Sequence, residues 1–565
     1  MTKNFKLVLS LALAVMMFAA MAVPAMAEDT YTIAIKNETT GFTYSAYQIF
    51  TGDLDNGVLS NVEWGTGISD AGKAALRSKY SLTVNADAKK DAQAVAKAIA
   101  DDASTTKADD IATLLAKTTT NGLGTAISMS YSESITVGAE NFKGYAATAQ
   151  AAGWYLIVNS AVPTGADNIT YSDYIVQVVN NVAIAPKSGK PESEKKVDDI
   201  NDSTGTEGKS QDSADHDIGD TISYTLTAKL PSDYANYEAY YLQFQDDMSK
   251  GLTLNTDSVK IFYGASDTNG TSITFTKAAS GSSYKETVEE TTTEVGSLYT
   301  YTIADLKAST YSSYNLKAGD VIKITYTATL NSNAVIGEAG NPNKYRIEYS
   351  NNPNNAGDGK PTSTTPWDIN IVFTYKTVFN KEDGATHKPL TGADFELFKF
   401  IKSESGAETY KTVKGDWVNV TALHTGTGAV NPTKTKSTHG EGTDAAENAK
   451  FTFAGLDDGY YKLHETVTPP GYNSVDDVYF TITAEHDVKM DDPKLTKLEG
   501  AEGTTFTMTA DRAAGSLTSK IDNNKGSTLP ETGGIGTTIF YVAGSILVLA
   551  AAILLITKRR MGNVD

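Results

Sequence analysis

Two stretches of this 565-residue chain bring together residue types that can react with one another. In each, a lysine stands in the first strand, an asparagine stands at the end of the last, and an acid lies in a strand between. A neutral lysine amine can attack a carboxamide carbon, form an amide and release ammonia. Water prevents this, because an exposed Lys with a pKa near ~10.4 is almost wholly protonated at neutral pH. Burial among aromatics penalises both ionised forms, lowering an amine's pKa and raising a carboxyl's. A neutral acid can then polarise the carboxamide and carry the proton, while folding holds nucleophile and electrophile in contact. Little else points to turnover chemistry. The chain has no cysteine and only six scattered His, with no phosphate loop, no serine or cysteine triad and no metal-ligand spacing. The reading is therefore no cofactor, no metal and no ordinary enzyme.

The elements that would position these residues are mostly strands. Thirty Tyr, abundant Thr and few Pro favour β-structure with one wet face. About 500 mature residues are too many for one core and predict roughly three domains. The first, 28–187, opens with alternating strands around Tyr31–Lys36 and Tyr44–Phe50, carries helical patterning between Asp70 and Thr118, and returns to strands at Gly153–Val158 and Tyr174–Val179. A polar linker follows Lys187. The second domain, 188–366, has strands such as Asp220–Leu230 and Val321–Leu330 in the pattern of a two-sheet sandwich. The third, 367–526, opens at about Asp368 and ends at Asn523. The fold class is mainly β: tandem Ig-like sandwiches behind an α+β domain, with a C-terminal membrane helix.

Both ends of the chain speak of export. Lys3 and Lys6 precede an apolar stretch, and Ala25-Met26-Ala27 before Glu28 is a small-x-small cleavage site, so 1–27 reads as a secretory signal peptide cut between Ala27 and Glu28. At the other end, 535–557 is uncharged and long enough to span a hydrocarbon core of roughly 30 Å. Residues 558–565 begin Lys558-Arg559-Arg560, which stays cytoplasmic. The formal net charge of −20 disfavours nucleic acid and anionic membrane as partners.

Ahead of that span lies Leu529-Pro530-Glu531-Thr532-Gly533. Pentapeptide, span and basic tail in that order resemble the cell-wall sorting signal of Gram-positive surface proteins. The resemblance implies that a sortase cysteine attacks the Thr532 carbonyl and releases Gly533 with the tail, leaving the protein on peptidoglycan. In the third domain, Lys376-Thr-Val-Phe-Asn-Lys-Glu-Asp-Gly, Pro389-Leu-Thr-Gly-Ala-Asp-Phe-Glu-Leu and Gly459–Tyr472 resemble the collagen-adhesin B-type module. Such modules form a spontaneous Lys–Asn isopeptide bond assisted by Glu, which here implies Lys376, Asn523 and Glu465. The second domain resembles the fimbrial isopeptide domain, implying Lys195, Asn351 and Asp246, with Lys196, Asn352 and Asp247 as adjacent alternatives. In the first domain Lys36 lies in a first strand and Asn180 or Asn181 in a last one, without a convincing acid, and no bond is assigned.

Val182-Ala-Ile-Ala-Pro-Lys187 resembles the pilin motif, with Ala185 where many backbone pilins have Tyr and with Lys190 as the alternative lysine. The implied linkage joins Thr532 of one chain to Lys187 of the next. The chain thus resembles an LPxTG-anchored major pilin. The partners implied are a sortase, identical subunits, peptidoglycan, and accessory pilins or a host ligand. A monomeric wall-anchored adhesin is the alternative.

Overall fold

The structure, a computed structural model, describes residues 30–117, 119–163, 169–185, 189–202, 205–264, 271–272, 274–275, 287–292, 296–355, 357–403, 405–424, 445–502, 506–526 and 535–561. The leader cleavage site at Ala27–Glu28, Lys187 and the pentapeptide 529–533 lie outside the described residues.

In the N-terminal domain one sheet is ordered Asp173–Val178, Gly153–Ala161, Thr43–Asp55, Ile127–Val137, Glu140–Gln150, Tyr31–Ile35, Val182–Ile184, with Val58–Trp64 paired to Thr43–Asp55. The first and last strands run parallel, Ile33 opposite Val182. The helices foreseen between Asp70 and Thr118 are Asp70–Lys79, Ala88–Asp101 and Lys107–Ala116. Ser69 caps the first by accepting from the Gly72 amide at 3.0 Å, and Asp87 caps the second through Lys89 and Lys90. The second buries Ala92, Val95 and Ile99 on one face, the three-and-four spacing of an amphipathic helix.

The middle domain is a sandwich of two sheets. One contains Glu192–Asn201, Thr221–Lys229 and Val321–Leu330; the other contains Leu242–Ser249, Gly296–Ile303, Asn341–Ser350 and Asp368–Phe373. Val321–Leu330 buries every second residue, so its Ile, Tyr, Ala and Leu side chains enter the core while Lys and Thr stay at the surface. Here a boundary needs correction. Asp368–Phe373, expected to open the third domain, completes the middle one, pairing with Asn341–Ser350 with Asn343 opposite Asn370. The polar 351–361 segment looks like an interdomain linker, but it is a return: Thr362–Thr364 folds back on Glu348–Ser350.

The C-terminal domain begins with Tyr375–Asp383, which lies parallel to the last strand, Ser516–Asn523, with Lys381 opposite Ile521 and Asp383 opposite Asn523. A second sheet holding Asp394–Lys402, Gly459–Val467 and Val478–His486 covers it, and Phe379, Phe395, Phe451, Phe453 and Phe480 fill the space between. Middle and C-terminal domains are closely joined. The Ile218 amide donates to Gly455 O at 2.9 Å, and a Cβ at Gly455 would fall 2.1 Å from Ile218 Cδ1, so only glycine fits there. Beyond the domains, Thr538–Arg559 within the helix Ile535–Met561 is 22 residues of mean hydropathy 2.7, long and apolar enough to cross a membrane.

Candidate functional site: two buried lysines

The middle domain's first strand points Lys195 inward and Lys196 outward, and the two fare differently. Lys195 is fully buried; Lys196 lies at the half-covered face and pairs with Asp212 at 2.6 Å and Glu194 at 3.1 Å. The Lys195 ammonium contacts the Asp246 carboxylate and donates to the Tyr326 hydroxyl at 2.8 Å, with the Tyr224 and Tyr326 ring centres 5.0 and 5.4 Å away. Asp246 is inward and buried, whereas Asp247, one residue on, faces the half-covered side. Burial pulls the Lys195 pKa below its usual value, against the opposing pull of Asp246. A single hydroxyl organises the group. Tyr326 donates to Asp246 Oδ2 at 2.6 Å and accepts from both Lys195 and the Asn343 side-chain amide, the latter also at 2.8 Å.

The asparagine foreseen, Asn351, does not stand beside this lysine and acid. Asn351 lies six residues along the strand from Tyr345, the residue opposite Asp246, a distance of about 20 Å at strand rise. Its backbone instead ties the middle domain to the first: its oxygen accepts from the Tyr171 amide at 2.7 Å, and its amide donates to Pro361 O. Asn352, the neighbouring alternative, accepts from the Asn354 amide in the same turn. Two other asparagines are linked to the lysine by hydrogen bonds, one through its backbone and one through Tyr326. Asn343 and Asn370 are both fully buried, and each has a side-chain oxygen without a hydrogen bond. The Asn370 amide is turned to the Lys195 backbone oxygen at 3.2 Å, while Asn343 shares Tyr326 with the amine.

The C-terminal site departs from expectation at the lysine. Glu465 and Asn523 are together: the Asn523 amide donates to both Glu465 oxygens at 3.0 and 3.1 Å and to Asn473 O at 2.9 Å, and its own oxygen has no hydrogen bond. Thr468 and the Val475 amide hold Glu465 in place, each at 3.0 Å. The lysine beside them is Lys381, not Lys376. Strand alternation sends Tyr375, Thr377, Phe379 and Lys381 inward; Lys376, an odd number of residues from Lys381, lies on the other face opposite Ser516. Lys381 is 1% exposed, its Nζ donates to Ile521 O at 2.7 Å, and burial pulls its pKa down to about 8 despite the charge of Glu465. The missed signal was parity: the sequence Phe379-Asn-Lys381 puts that lysine on the face of the aromatic.

The N-terminal domain differs. Lys36 pairs with exposed Glu140, Asn181 accepts from the Thr32 amide at 2.8 Å, and Asn180 is exposed. This is solvated surface chemistry, with no buried amine among the described residues of the domain. Lys190, the alternative junction lysine, is also exposed.

Comparison with known proteins bears on the family of the chain. Residues 376–494 match the SpaA family, a prealbumin-like fold domain, and residues 521–561 match the LPXTG cell wall anchor motif. The chain is 28% identical over 403 residues to the trypsin-resistant surface T6 protein of Streptococcus pyogenes serotype M6, covering 66% of this chain and 70% of that one. It is 29% identical over 224 residues to fimbrial subunit type 1 of Actinomyces viscosus, 37% of this chain and 36% of that one. Among solved structures, the T6 backbone pilin of S. pyogenes aligns with 89% of this chain and 100% of its own at 20% identity and TM-score 0.48. The Corynebacterium diphtheriae major pilin SpaA aligns with 88% and 100% at 13% and 0.39. The LPXTG anchor, the prealbumin-like domain and the similarity to the T6 surface protein and to fimbrial subunit type 1 make the chain a relative of wall-anchored fimbrial proteins of Gram-positive bacteria.

Proposed function

We propose that the chain is the major structural subunit of a sortase-assembled pilus, strengthened by two internal amides, Lys195–Asn343 and Lys381–Asn523. The observation that carries this reading is the pairing, in two successive domains, of a fully buried first-strand lysine with a buried acid and a buried carboxamide. Such an arrangement is costly as an ion pair, because removing charges from water exceeds what most pairs recover. As a reaction centre it is productive. Neutral Nζ attacks the asparagine Cγ, a C–N bond forms, and the original carboxamide C–N bond breaks. The acid, Asp246 or Glu465, takes a proton from the amine and delivers it to the departing nitrogen, which leaves as ammonia. Each domain turns over once, on itself.

Assembly uses the sorting pentapeptide and the junction lysine of the same chain. Sortase cleavage after Thr532 and attack by Lys187 of a neighbouring subunit join copies head to tail, and peptidoglycan receives the last. Tension entering a domain then passes through its amide without unzipping the sheet. The test is the intact mass of the purified full chain, where each internal bond removes about 17 Da as ammonia. A chain that weighs what its residues sum to overturns the internal bonds. Detergent-boiled wall extracts test assembly: a covalent ladder supports it, and one discrete band favours a monomeric adhesin.

A further inference from the structure

The junction between the middle and C-terminal domains buries more negative charge than either reaction site. It divides into two halves. In one, Asp202, Asp217 and Asp457 surround the ammonium of Lys399, a side chain 1% exposed that reaches Asp202 at 2.5 Å and also contacts Asp217. Burial opposes that charge, but Tyr461 and the carboxylates of Asp217 and Asp457 hold the Lys399 pKa well above its usual value. This half is balanced by a fixed cation and differs from the two reaction sites, where the lysine pKa falls.

The other half has no lysine. Asp199 and Asp215 come from the middle domain, on the strands Glu192–Asn201 and Ser213–Asp215, and His486 ends the strand Val478–His486 of the C-terminal domain. Their ligand-type atoms lie within 4.8 Å of one another. Asp199 is 6% exposed, and its Oδ1 has no hydrogen bond; 3.9 Å away stands His216 Nε2, equally without one. The His486 tautomer follows from its neighbours. Ser213 Oγ has a single proton, which it donates to Asp487 O at 2.7 Å, so it accepts from His486 Nδ1–H at 2.7 Å. The other ring nitrogen, Nε2, faces Asp215 Oδ1 at 3.2 Å and Asp199 Oδ2 at 3.8 Å. Tyr375 donates to the other Asp215 oxygen at 3.1 Å, leaving Oδ1 facing the imidazole. Three electron-rich atoms converging in a buried space require a cation or a proton among them.

We propose that Asp199, Asp215 and His486, with His216 approaching from the middle domain, form a divalent transition-metal site that clamps the two domains together. Two carboxylates and imidazole nitrogen suit Zn²⁺ or a similar borderline ion, whereas Ca²⁺ and Mg²⁺ take oxygen donors. The hydrogen bond from Nδ1 to Ser213 is the supporting contact that orients a ligating imidazole.

The test uses the full chain in detergent, stripped with chelator, dialysed and titrated with Zn²⁺ alone. One equivalent is expected, with affinity falling at least about tenfold in Asp199→Asn and His486→Gln. The trio Glu382, His387 and Asp522, of which His387 and Asp522 are exposed, supplies the control, since His387→Gln should leave binding unchanged. Because substitution at a buried junction can unfold the chain, unaltered protein is also titrated with Co²⁺, whose visible ligand-field bands report nitrogen and oxygen ligation. Absence of stoichiometric binding, loss in His387→Gln instead of His486→Gln, or a His486 ring signal that titrates identically with and without Zn²⁺ would each overturn the proposal in favour of a protonated imidazole.

Discussion

Replacing Lys381 by Met keeps an apolar stem of similar length while removing the amine. It therefore deletes the proposed cross-link without leaving an unpaired ammonium in the core. The substitution directly removes one hydrogen bond to Ile521 O, worth about 1 kcal/mol. Opening the covalent loop costs more. Lys381 and Asn523 would close a loop of roughly 140 residues, and the chain-entropy relation for cross-links gives about 5 kcal/mol for a loop of that size. For a domain of roughly 150 residues, where each kcal/mol moves the midpoint by about 2–4 °C, the C-terminal transition should fall by about 10–20 °C in calorimetry. The intact mass should show one ammonia fewer released than in the unaltered chain. If Lys381→Met melts within a few degrees of the unaltered chain and the ammonia count is unchanged, Lys381 carries no cross-link and the reasoning from burial to bond fails.

The same logic makes other positions testable. Asn343→Ala should restore about 17 Da to the middle domain, whereas Asn351→Ala should leave the bond intact; peptide mass mapping tells them apart, and loss on Asn370→Ala alone would reassign the electrophile. Asn523→Ala leaves Lys381 titratable, with a folded pKa near 8 against ~10.4 unfolded. Between those values the unfolded chain binds more protons, so denaturant stability of this variant should rise with pH across that window, a slope absent from the cross-linked parent. Lys187→Ala should abolish the high-molecular-weight ladder of wall extracts while Lys190→Ala retains it; the reverse would move the intersubunit bond to Lys190. Lys399→Met strips the cation from Asp202, Asp217 and Asp457 and should cost about 3–5 kcal/mol in the coupled unfolding of the last two domains.

Much of the architecture was legible in the sequence because strands announce themselves by alternation. Val321–Leu330 reads directly, and the helices between Asp70 and Ala116 stand out by their three-and-four spacing. Alternation also decides between Lys195 and Lys196, or Asp246 and Asp247, once one inward residue is known. The errors have one physical origin. Lys376 and Asn351 are what the family resemblance implies, yet which face a residue occupies and how far along it lies depend on register. Phe379 fixes the first and the return at Thr362–Thr364 the second. The Asp199–Asp215–His486 cluster was invisible because its members are far apart in the chain and meet only when two domains dock. Tyr326 gave no signal either, being one aromatic among thirty tyrosines until its hydroxyl is seen to join amine, acid and amide.

Whether the buried lysines are amines or amides in the finished protein decides between a welded subunit and an ordinary one. Proteolysis of material released from the cell wall, followed by sequencing of branched peptides, answers this most directly. Two branched species are predicted, one joining Lys195 to Asn343 and one joining Lys381 to Asn523, each lighter than its parts by one ammonia. Recovery of linear peptides bearing free Lys195 and Lys381 side chains, with both asparagines intact, would contradict it.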